Sequence, residues 1–299
     1  MRKFLSKLQL AVALCLSFTF MTHAVLAQAE GWQELNEKTL ELLRKGEYPD
    51  AIMYGHAAHA SATKEYGYKH HNYIASLHNV AIAYTKFGKY EQARYLFNNA
   101  LQTSKKVFGE EHVVNAISAY RMGDLLQLVG QSEDALKLYE VAIPILKTKE
   151  GTNSFHYTTA MSQLAKLYLN TGEVLKAEET LVKSNADIEQ CKECTPADLA
   201  GNFHLLANTY ASMGRAKEAN ELYKKVLIMR ADVQGKTHPE YAETMHDYAI
   251  LLSKKSKDAA IIMLQDALSI KAVALGTKHP AYKKCADDLK KLNGLTSMN

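Results

Sequence analysis

Twelve histidines and four cysteines are the residues of this 299-residue chain whose types invite chemistry. His56 and His59 lie one helical turn apart and His70-His71 follow in the next loop, so four imidazoles could meet at a metal. Structural metal sites complete their shell with cysteine or carboxylate at set spacings, and these four have no such partner at ligand spacing. Cys191-Lys-Glu-Cys194 is the second cluster. Thr195 stands where a c-type haem needs histidine, no second Cys-x-x-Cys supports zinc, and no βαβ pattern supports a redox catalyst. In an oxidising compartment the pair could close a small disulfide; otherwise it is two thiols. Cys285 is left over as a half-buried apolar residue. No Gly-x-Ser-x-Gly, no glycine-rich phosphate loop and no His-Glu-x-x-His occurs, so neither catalysis nor a cofactor is expected.

The histidines have a more regular meaning. His70, His112, His238 and His279 each stand three residues after a glycine: Gly67, Gly109, Gly235 and Gly276. Those glycines belong to a longer pattern. Gly46, Gly88, Gly130, Gly172 and Gly214 follow one another every 42 residues, and Ala51, Ala93, Ala135, Ala177 and Ala219 follow them five positions on. Glycine between two apolar-periodic segments suits the left-handed residue that ends a helix. Small residues on facing turns, such as Ala81 and Ala93, let two antiparallel helices approach closely, with Leu77, Val80, Tyr84, Phe97 and Leu101 filling the space around them. One such pair cannot bury its own apolar face, so the pairs must stack.

The stretch Leu77-His-Asn-Val-Ala81-Ile-Ala-Tyr84, then Gly88-Lys-Tyr90-Glu-Gln-Ala93, then Phe97-Asn-Asn-Ala100, resembles the tetratricopeptide repeat. The 42-residue unit and the tails Gly235-Lys-Thr-His238-Pro239 and Gly276-Thr-Lys-His279-Pro280 resemble its kinesin-light-chain form. The resemblance covers residues 32–280. It departs at Lys38 and Thr39 in the first copy, at Gly123 in the third, in the fourth copy's missing second glycine, and at Ser256 in the sixth. The fold it implies is all-α: a right-handed superhelix of about six helix hairpins over residues 28–280, with a C-terminal capping helix within 281–299. Each hairpin pairs a helix of about 13 to 14 residues with one of about 17 to 18. The cap should run from about Ala281 to Leu292, and Pro144, inside a second helix, should bend it.

Residues 1–27 read as a secretory signal peptide. Arg2, Lys3 and Lys7 precede an apolar run from Leu8 to Met21, and Val25-Leu26-Ala27 ends it, with cleavage expected after Ala27. That run is too short to span a bilayer stably. Export to the periplasm or the exterior follows. Loss of the three basic residues lowers the formal charge from +4 to +1, which removes any global footprint for nucleic acid.

In tetratricopeptide arrays the first helix of each pair lines an inner groove that holds a peptide. Carried over by position, the groove residues expected to touch a protein or peptide partner are His78, Asn79, Tyr120, Arg121, Lys166, His204 and Asn208. Asparagine and histidine can bond a peptide backbone, arginine and lysine can hold carboxylates, and tyrosine adds apolar area with a polar tip. A non-catalytic exported scaffold is the function this implies. The alternative is a metal- or redox-responsive exported protein using His56, His59, Cys191 and Cys194.

Overall fold

The computed structural model of the chain describes residues 31–294. The expected signal peptide and the last five residues lie outside them. Among the described residues there are thirteen helices and no strand. The six hairpins are α1 (Trp32–Lys45) with α2 (Tyr48–Glu65), α3 (His71–Lys86) with α4 (Tyr90–Phe108), α5 (Val113–Leu128) with α6 (Ser132–Glu150), α7 (Phe155–Asn170) with α8 (Val174–Gln190), α9 (Pro196–Ser212) with α10 (Ala216–Val233), and α11 (Pro239–Ser253) with α12 (Lys257–Leu275). The cap is α13 (Pro280–Leu292). Each element packs on its chain neighbours, and each odd-numbered helix also meets the next odd-numbered one, which makes an α-solenoid. None of these helices is long and apolar enough to cross a membrane.

The repeat works because a small residue recurs where helices cross. Ala51, Ala93, Ala135, Ala177, Ala219 and Ala260 are all fully buried at the start of the outer helices. Four residues on, about one helical turn later, five of the six repeats carry one large plug: Phe97, Tyr139, Leu181, Tyr223 and Leu264, each at most 3% exposed. The third copy's Gly123 faces such a plug. A methyl there would stand 3.2 Å from the Tyr139 ring, so the glycine makes room for a tyrosine. The outer helix α6 runs unbroken through Pro144.

The histidine column is a set of helix N-caps. In His70, His112, His238 and His279 the Nδ1 atom accepts a hydrogen bond from the backbone N–H two residues on, at 3.1–3.2 Å. An uncapped N-terminus leaves donors unpaired, and a neutral imidazole satisfies one of them. Ser154 and Thr195 cap α7 and α9 through their hydroxyls, which accept from the backbone N–H three residues on. Thr195 forms a reciprocal capping box with Asp198. The capped inner helices run 15 to 17 residues, longer than their periodicity alone suggests, while α1, which has no side-chain cap, has 14.

Cys191 and Cys194 are joined by a disulfide in the one inter-repeat loop that lacks the second glycine, with their Cα atoms 5.3 Å apart. Cys285 is buried against Leu264 and titrates high, at about 11, because burial disfavours its thiolate.

The turn glycines are left-handed, and Gly130 (φ 83°) shows the cost of replacing one cleanly because nothing lies within 4 Å of a methyl placed there. Gly130→Val is expected to lower stability by about 1–2 kcal/mol through backbone strain alone. A urea midpoint equal to that of the wild type would place the strain elsewhere.

Candidate functional site: the inner face of the solenoid

The odd-numbered helices present their inner faces to a shared lumen. Charges from several of them act on one group: Lys86, Asp124, Glu243 and Asp247, carried by α3, α5 and α11, all influence Lys166 on α7. Lys86 keeps 47% of its side-chain surface, so these groups touch water while facing one another across a confined space. Charge effects there are stronger than on an open surface. Burial lowers the affinity of Lys166 for its proton, and the nearby Lys86 ammonium adds to that. Burial also pushes the Asp124 carboxyl up to about 7, although the Tyr139 hydroxyl donates to it at 2.7 Å and opposes the rise.

Of the residues expected to line the groove, Asn79, Arg121, Lys166 and Asn208 are half-buried on odd-numbered helices. Asn79 donates to Asn36 Oδ1 at 2.8 Å, and Asn208 donates to Asp247 at 3.0 Å. The Arg121 guanidinium lies 5.1 Å from the centroid of the Tyr120 ring, and its Nε has no hydrogen-bond partner among the described residues. Lys86 and Lys271 have carboxylate partners. Among the described residues neither Arg121 nor Lys166 pairs with one.

The other three are corrected. His78 is 5% exposed, Tyr120 is fully buried and His204 is 7% exposed, so none offers its side chain to the lumen. These positions, ten before each turn glycine, point at the next repeat. His78 Nε2 is 3.0 Å from Ser118 Oγ, the Tyr120 hydroxyl is 3.2 Å from His156 Nδ1, and His204 Nε2 is 3.0 Å from Asp247. His246 repeats the last contact with Asp288 at 3.1 Å. A helix turns about 100° per residue, so one position separates a groove side chain from a joint between repeats. Burial holds His78 and His246 neutral, with the Arg121 and Lys271 cations adding to the effect. At Asp247 burial works to raise the carboxyl, but the bond from His204 and nearby positive charge outweigh it and keep it ionised.

The sequence left three lumen residues off the expected contacts, Asp124, Asp247 and Lys86. The signal for Asp247 was present: a histidine and an aspartate 43 residues apart, echoed by His246 and Asp288. At the C-terminal half the inner face deepens into a cleft of about 540 Å³, whose polar lining includes Asn170, Asn208, Ser212, Asp247, Lys254 and Lys284.

Metal-type ligands converge away from the predicted histidines. His56 Nε2 lies 3.0 Å from the Tyr84 hydroxyl, His59 tilts against the Tyr73 ring, and the Nδ1 of His70 is committed to its cap. Among the described residues the group with ligand atoms close together is Glu243, His246 and Asp247, within 4.8 Å of one another. The fully buried Lys271 ammonium already sits between two of them, against Glu243 and 3.2 Å from His246 Nδ1. That internal cation supplies the charge a metal would bring.

Relatives agree with this architecture. The family model of the tetratricopeptide repeat matches residues 40–102, 84–148 and 198–272. Protein KINESIN LIGHT CHAIN-RELATED 1 of Arabidopsis thaliana is 27% identical over 209 residues, covering 69% of this chain and 34% of that protein. The chain thus spans about a third of the length of the curated relatives it matches. A Rap protein solved in complex with competence and sporulation factor superposes with a TM-score of 0.57 at 11% identity, covering 87% of each chain. BtubC (BKLC) from P. vanneervenii superposes with a TM-score of 0.52 at 19% identity, covering 68% of this chain and 81% of that one. The similarity to these structures is one of fold. With three stretches of the chain matched and the hairpin stack in place, this chain belongs to the tetratricopeptide repeat family.

Proposed function

We propose that the protein is a non-catalytic, exported scaffold that holds an extended, acidic segment of another polypeptide in its lumen. The observation that carries this is the pair Arg121 and Lys166, two half-buried cations on neighbouring odd-numbered helices with no carboxylate partner among the described residues. Unpaired cations in a confined space attract a carboxylate, and a guanidinium can grip one through two parallel hydrogen bonds. The inner helices are ordered before binding, so no folding of the hairpins has to accompany it. Export rests on the basic and apolar pattern of residues 1–27.

The test uses the mature chain, residues 28–299, on an array of short peptides of graded acidity. Acidic peptides are expected to bind, and Arg121→Gln with Lys166→Gln is expected to weaken them at least about tenfold, the equivalent of one lost charge-assisted contact. Equal retention by both proteins, or binding indifferent to acidity, would overturn the proposal. Tyr120 is left untouched because it is core.

A further inference from the structure

The solenoid completes a full turn and laps onto itself. The turn between α1 and α2 meets the loop before α11, and the turn between α3 and α4 meets the loop before α13. A methyl on Gly46 would stand 2.8 Å from Pro239 Cδ, and one on Gly88 would stand 3.0 Å from Pro280 Cδ. The matching turn glycines Gly130, Gly172 and Gly214 have nothing within 4 Å. His279 ties the second contact, its Nε2 lying 3.1 Å from the Lys86 carbonyl oxygen. Because His279 Nδ1 accepts from its cap N–H, Nε2 carries the proton and donates to that carbonyl. Lys86 Nζ then reaches Glu240 at 2.8 Å across 154 residues.

The chain is written for this contact. His-Pro occurs twice, at His238-Pro239 and His279-Pro280, and those are the two loops that form the joint. The corresponding loops at His70 and His112 cap their helices without proline and face no turn glycine. A flat pyrrolidine ring against a residue with no Cβ is a shape match that any larger turn residue would block. The joint also differs from every other in the array. Successive repeats meet helix on helix, whereas here loop meets turn and one water-touched ion pair bridges them. The Lys86 charge holds Glu240 well below the usual carboxylate range, and Glu240 in return holds Lys86 above its own.

We propose that this lap joint is a latch on the lumen, held shut by Lys86 with Glu240 and by the paired glycine and proline surfaces, and opened to admit the bound segment. This rests on the lumen being the binding site. Closed, the solenoid encircles its occupant, which restricts that occupant to a linear stretch of chain and excludes a folded domain. The joint is sparse enough to break while the hairpins stay folded, since no helix-on-helix packing is lost.

The latch is read with no peptide present. Nitroxide labels on Glu91→Cys and Lys283→Cys, in the first turns of α4 and α13, flank the second contact, and labelling is selective because Cys285 is buried and Cys191 is bonded to Cys194. The expected result is one short interspin distance in the parent. Lys86→Glu should shift it to longer, broader distances, and adding Glu240→Lys should restore the short one. Gly88→Leu should open the joint while Gly130→Leu, with the same left-handed backbone and open space around it, should not. A long distance in the parent, or a short one retained in Gly88→Leu, would overturn the latch. Acidic peptides binding to a chain whose distance never changes would retain the binding site and end the latch alone.

Discussion

Lys271→Ala is expected to lower the stability of the protein by about 3 kcal/mol or more. Lys271 is fully buried on an outer helix, and its ammonium is held by Glu243 and His246 on the inner helix beside it. Truncation removes the counter-charge of a carboxylate and leaves a space where a long side chain packed. Lys271→Met separates the two effects, since it keeps most of the volume and loses the charge. Urea unfolding of both variants gives the answer. Methionine at the wild-type midpoint would mean that the pair contributes nothing, and alanine at that midpoint would mean that the side chain is not buried at all.

Acidification from about pH 7.5 to about pH 4.5 is expected to destabilise the fold strongly, through groups other than its exposed carboxylates. Burial lowers the proton affinity of His78, His156, His238, His246 and His279, with His156 brought down to about 4 from 6.5. A folded-state value below the unfolded one means that the unfolded chain binds more protons. The stability from these groups is present above about pH 6.5 and is lost as the pH falls towards their folded values. His156 alone corresponds to about 3 kcal/mol by pH 4. Protonation also removes the Nδ1 acceptors that cap α11 and α13. Asp124 works the other way: raised to about 7, it gives stability at low pH that fades as the pH rises through that value. One aspartate does not balance five histidines. A urea midpoint independent of pH over this window would show that the histidines are solvated, and His156→Gln should flatten the dependence if they are not.

The architecture was legible because a repeat states its period many times over. Five glycines and five alanines at one spacing carry more information than any single helix pattern, and the sixth alanine, Ala260, sits one residue early to match the shortened last unit. The groove was legible only in part. His78, Tyr120 and His204 have the side chains a peptide groove would use, and they fall one helical position from it, where the same chemistry bonds one repeat to the next. Composition cannot separate those two uses, because polar joints and polar grooves draw on the same residues. The lap joint was beyond local pattern altogether. Its partners lie 193 residues apart, and the trace it leaves in the sequence is a dipeptide used twice.

Gly46 meets Pro239 and Gly88 meets Pro280, pairs separated by 193 and 192 residues in a chain whose unit is 42. The circumference is therefore a fixed number of units, and length can change only in whole ones. A descendant that lost one interior unit would seat Gly46 on the second His-Pro loop and leave Gly88 facing nothing. Loss of two units would leave neither contact. Duplication of one would carry the first His-Pro loop from Gly46 to Gly88 and the second beyond both. Unequal recombination would therefore change which glycine meets which loop, and only the present count of units keeps both contacts.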